Sequence, residues 1–123
     1  MTRIAALSLV VAALFLQVGV AQDHHHAEEK TIVGYVVDVA CYVSHGDMGE
    51  AHRQCAETCA KAGIPLAILD QQSGTLYLPL AKNHHEAANK ELLAYVEKDV
   101  RVTGAVSEKD GMKTITIASI AAK

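Results

Sequence analysis

The chain has 123 residues, is 50% hydrophobic and carries a net charge of −3, with three cysteines, seven histidines and no tryptophan. That acidic balance, with four tyrosines and one phenylalanine as its whole aromatic supply, excludes a nucleic-acid partner held by a basic surface or by base stacking. An odd cysteine count in an exported chain implies a spare thiol, an intermolecular bond or a metal site.

Met1-Thr2-Arg3 supplies one positive charge, and the uncharged run Ile4 to Val20 follows, ending in small residues at Gly19 and Ala21. This is the layout of a secretory signal peptide over residues 1–21, which places the protein in the periplasm or outside the cell. Gln17 interrupts the apolar run, which is slightly short of the roughly 20 residues a bilayer span needs. No stable membrane insertion is therefore expected after cleavage. What is left is roughly 100 residues, one modest domain.

Residues 22–30, QDHHHAEEK, are polar and lack periodicity, and read as a mobile, His-rich lead-in. A cut after Ala21 would expose Gln22, Asp23 and His24, which resembles the amino-terminal copper and nickel motif. There an amine, two backbone amides and an imidazole form a planar set of four nitrogens, so these residues are a candidate secondary metal site.

The domain proper, residues 31–123, opens with TIVGYVVDVA, whose alternation puts Val33, Tyr35, Val37 and Val39 on one face of a first strand. Gly34 within it suggests a bulge or bend. Asp47 and Glu50 have the spacing of a capping box, which predicts a helix from about Met48 to Ala62, closed by Gly63 and Pro65. PLAILD and TLYLPL are short strands joined by Gln71-Gln72-Ser73-Gly74. Asn83 and Glu86 repeat the capping spacing and predict a second helix with an inner stripe of His85, Ala88, Leu92 and Val96. DVRVTGAVSE and KTITIASI are two more strands joined across Asp110-Gly111.

The resulting order is strand, helix, strand, strand, helix, strand, strand. It predicts a mainly β domain: a small five-stranded OB-like barrel with a Cys-bearing helix between strands 1 and 2 and a second helix between strands 3 and 4. Its expected core is Val33, Tyr35, Val37, Leu66, Ile68, Leu76, Leu78, Val100, Val102, Ile115 and Ile117.

The pattern GYVVDVACYVSHG, then the spaced His52, Cys55 and Cys59, then GIPLAIL and later VRVTGAV, resembles an uncharacterised family of small exported bacterial proteins of OB-like fold with a Cys/His-bearing helical insert. The resemblance covers most of residues 33–120. It implies the fold and export, and implies no activity.

On the predicted helix, 100° per residue sets His52, Cys55 and Cys59 within an arc of about 60°, and Cys41 at the end of the first strand can meet that face. Thiolate and imidazole are the donors that zinc prefers, and thiolates also select Cu(I). Cys41, His52, Cys55 and Cys59 are thus the candidate ligands for a copper or zinc ion, with His45 and Met48 close enough in sequence to complete a copper site. The rise between His52 and Cys59, about 10.5 Å, strains a site that uses both. Two other readings stay open. Cys41 can pair with Cys55 or Cys59 in a disulfide worth roughly 3 kcal/mol, which would make the protein a stapled OB-fold binding module without metal. Three cysteines can also serve a thiol-redox protein, although no Cys-x-x-Cys is present. The carboxylates Asp38, Asp47, Glu50 and Glu57 are scattered, and no catalytic motif is present.

Overall fold

The computed structural model describes residues 27–123. The signal segment and Gln22, Asp23 and His24 lie outside the described residues. Five strands form a closed barrel in the order β1-β2-β3-β5-β4: β1 (Glu28–Asp38), β2 (Leu66–Asp70), β3 (Leu76–Pro79), β4 (Asp99–Lys109) and β5 (Met112–Ala122). All pairs are antiparallel except β3 with β5, which is the OB-like arrangement read from the sequence. Among the described residues, no helix is long and apolar enough to cross a membrane.

The turns follow their residues. Asp110 and Gly111 both have positive φ (52° and 83°), as a two-residue hairpin of the I′ type requires. Asp70 organises the β2–β3 turn, accepting from Gln72 N at 2.9 Å and from Ser73 Oγ at 2.8 Å. Gly34 marks a close approach and no shift of register: a Cβ there would lie 2.7 Å from both Ile68 Cγ2 and Leu69 O. The register shift falls instead at Thr103/Gly104, between β4 and β5.

The barrel interior is built from Ile32, Val36, Leu66, Ile68, Tyr77, Val100, Val102, Ile115 and Ile117. This reverses the expected face of β1. Tyr35, Val37 and Val39 join Ala67, Leu69, Leu76, Leu78 and Tyr42 in a smaller second cluster, and Val33 is in neither. Both faces of β1 are apolar because the second is covered as well, so alternation alone could not choose between them.

The connection between β3 and β4 is helical, as expected, but consists of two 3-10 turns, Ala88–Glu91 and Leu93–Tyr95. Leu92 and Val96 are buried in the main core, whereas His84 and His85 are exposed. His85 has a φ of 70°, which no helix start can hold. The Asn83 amide spends itself on the Glu86 side chain at 3.2 Å.

Candidate metal centre

The chain leaves the barrel at Asp38 and re-enters at Leu66, and these two residues are register partners. The excursion between them is therefore a closed loop whose ends must lie side by side. Its two ends are joined directly, Val39 N donating to Pro65 O at 3.0 Å. That closure brings the residue three past Asp38, Cys41, next to the helix turn that carries Cys59.

The excursion holds two helices. The first, α1 (Val39–His45), starts where the strand was expected to continue, because Asp38 is its N-cap: Oδ1 accepts from Ala40 N at 2.8 Å and Cys41 N at 3.2 Å. Gly46, with a φ of 75°, ends it. Cys41 thus sits in the first turn of a helix rather than at the end of a strand.

The second helix, α2 (Arg53–Lys61), follows a 3-10 turn over Glu50–His52. Asp47 makes no cap; the expected helix from Met48 is shortened by Gly49, whose φ is 103°. At its far end α2 stops as the sequence predicts. Gly63 N donates to Ala60 O and Ile64 N to Cys59 O, the paired bonds of a glycine-closed C-terminus. Ala56 and Ala60 are buried in the barrel's core cluster, which turns the neighbouring positions, Cys55 and Cys59, toward α1.

The Sγ atoms of Cys41, Cys55 and Cys59 lie within 4.8 Å of one another. All three are free thiols, Cys55 exposed and the other two half-buried. A metal at zinc–sulfur bonds of about 2.3 Å sets its sulfurs roughly 3.8 Å apart, so small rotamer adjustments suffice to close the cluster on one ion.

The Asp38 side chain is fully buried beside this cluster. Its carboxylate, as a hydrogen-bonding neighbour, is the first cause that pushes the Cys59 thiol up to about 12; burial and the Asp38 charge add to it. Burial, then the same charge, also raises Cys41. The contact with Cys59 falls short of full hydrogen-bond geometry, and Asp38 Oδ2 is left buried without a partner. Oδ2 therefore keeps its lone pairs unused.

His52, grouped with the cysteines on sequence spacing, is held elsewhere. Its Nδ1 lies 3.0 Å from Oε1 of Glu97, whose side chain is wholly buried. A carboxylate can only accept, so Nδ1 carries the proton. Glu97 Oε2 accepts from Gly49 N at 2.7 Å, and its carbonyl accepts from Tyr35 Oη at 2.8 Å and Arg53 Nη2 at 3.3 Å. This one residue, itself at a φ of 53°, pins the start of the Cys-bearing helix to the barrel and captures the imidazole. His45 and Met48 are exposed and outside the sulfur cluster; Met48 shares a surface depression with His52.

Asn89 performs the matching task at the end of α2. Its Nδ2 donates to Ile64 O (2.7 Å) and Ala60 O (3.3 Å), and Oδ1 accepts from Leu66 N (2.9 Å). Sequence reasoning missed Glu97 and Asn89, whose partners are remote in the chain and leave no local signal. Asp38 did leave one, an N-cap residue three positions before Cys41.

A cleft of about 730 Å³ lined by Leu66, Leu78, Leu80, Leu93 and Met112 contains none of the cysteines. Its lining is mainly apolar. Compared with known proteins, the chain matches no family model, no curated protein and no solved structure.

Proposed function

We propose that this is an exported metal-binding protein that holds one copper or zinc ion on Cys41, Cys55 and Cys59. The observation that carries the reading is the convergence of three sulfurs within 4.8 Å from two helices. Thiolates are the donors both ions favour, and the loop closure at Asp38 and Leu66 brings the three cysteines together. The signal-like segment over residues 1–21 supports export to the periplasm or medium.

The thiol electrostatics disfavour redox catalysis at Cys41 and Cys59. A redox-active cysteine needs a lowered pKa, while Cys41 and Cys59 are both raised. A metal must displace their protons, so affinity should climb as pH rises.

Free-thiol titration with metal analysis of the natively exported protein tests the reading. Three titratable thiols after metal removal and one bound ion per chain are expected. Replacing any of the three cysteines with Ser should weaken binding by more than about tenfold. One thiol and no metal would identify a disulfide-stapled module instead. A thiol count that follows the redox buffer would identify a redox protein.

A further inference from the structure

Resting on the three-cysteine site proposed above, we infer that Asp38 supplies its fourth ligand through Oδ2, giving a three-sulfur, one-oxygen tetrahedron that selects a zinc-type divalent ion over Cu(I).

Asp38 is fully buried, and buried carboxylates are ordinarily paired with a cation, hydrogen-bonded or bound to a metal. Oδ1 is accounted for by the amides of Ala40 and Cys41. Oδ2 has no partner, and among the described residues no Lys, Arg or His forms an ion pair with Asp38. Beside it lies the sulfur cluster, through Cys59; Asp38 is not among the residues whose ligand atoms all lie within 4.8 Å of one another, so coordination has to draw its carboxylate inward. The backbone amides on Oδ1 hold the carboxylate in place, as outer contacts hold a ligating group in metal sites.

The donor set then discriminates between ions. Zinc accepts cysteine sulfur and aspartate oxygen together in a closed tetrahedron. Cu(I) is satisfied by soft sulfur and gains little from a hard oxygen. Charge points the same way, because three thiolates beside a buried carboxylate are better neutralised by a dication than by a monocation.

Asp38→Asn is the informative variant. Asn is as good an N-cap as Asp, so Oδ1 and helix α1 are kept while Oδ2 becomes a non-ligating amide nitrogen. Competition titrations with Zn(II), Co(II) and Cu(I) on the wild type and this variant provide the readout. Zn(II) and Co(II) affinities should fall by about tenfold or more, with a weakened tetrahedral Co(II) visible spectrum, and Cu(I) affinity should change by less than about threefold. Unchanged Zn(II) affinity would overturn the fourth ligand and leave the cysteine site standing. Equal losses for Zn(II) and Cu(I) would reduce Asp38 to a helix cap and overturn the selectivity. A wild type that binds none of the three ions would remove the cysteine site itself. Should Asp38→Asn fail to fold, X-ray absorption of the zinc-loaded wild type decides: three sulfurs near ~2.3 Å with one oxygen near ~2.0 Å support the assignment, and a shell without oxygen overturns it.

Discussion

The barrel and the excursion between Asp38 and Leu66 are stabilised by different physics. The barrel buries large aliphatic side chains from four of its strands, Ile32, Val36, Leu66, Ile68, Val100, Val102, Ile115 and Ile117, each worth roughly 1.5–3 kcal/mol when removed from water. The excursion adds only Ala56 and Ala60 to that core. It is lashed down by the buried side chains of Asp38 and Glu97 and the half-buried Asn89, and it carries the sulfurs. A region so poor in apolar burial is the natural place for a site whose ligand completes the packing, since metal binding and local folding are then one event.

The largest effect should come from the barrel side of this comparison. Ile115→Ala is expected to cost about 2–5 kcal/mol in urea unfolding, lowering the whole transition. A loss confined to residues 39–63 would show that barrel and insert are not arranged as described. Glu97→Ala comes next, leaving the Gly49 amide and the His52 imidazole without their acceptor. A cost of about 2–4 kcal/mol is expected, concentrated in the insert and detectable as lost hydrogen-exchange protection there. Glu97→Gly removes the same carboxylate but suits the positive φ, so it should recover about 1 kcal/mol relative to the alanine variant. An alanine variant as stable as wild type would break the claim that this carboxylate pins the helix.

Asn89→Ala should cost about 1–3 kcal/mol, by unsatisfying Leu66 N and the carbonyls at the end of α2. It should also weaken metal binding, because Cys59 lies on that last turn.

Much of this was readable in the sequence, and the failures have physical causes. The strand order, both tight turns and the glycine-closed end of α2 are local properties of Asp110-Gly111, Gly74 and Gly63. The face of β1 was not readable, because both faces are apolar. The second helix lies after β3 as expected, but its start was not readable, because His85 takes a left-handed conformation that capping spacing cannot foresee. Three of the four ligands proposed from spacing converge, since one loop closure at Asp38 and Leu66 brings them together. His52 does not, because a carboxylate 45 residues away holds it, and no sequence spacing encodes such a partner.

The smallest expected effect concerns pH and the barrel alone. Burial pushes the Asp70 carboxyl up, but bonds from Gln72 and Ser73 and the nearby Lys30 charge outweigh it and hold the group below its ordinary value. A depressed folded pKa contributes stability that is present above the unfolded value and lost as pH falls through the folded one. Asp70→Asn should therefore be less stable than wild type by about 1 kcal/mol near pH 7 and indistinguishable near about pH 2. A gap that persists in acid would assign the effect to turn geometry instead of charge.

The central claim is that a metal ion on the three sulfurs fixes an otherwise weakly held insert onto a self-sufficient barrel. Hydrogen exchange of the reduced protein, with zinc and after chelation, tests it most directly. The account predicts that chelation strips protection from residues 41–63 while β4 and β5 keep theirs. Protection lost in both regions together, or unchanged in residues 41–63, would contradict it.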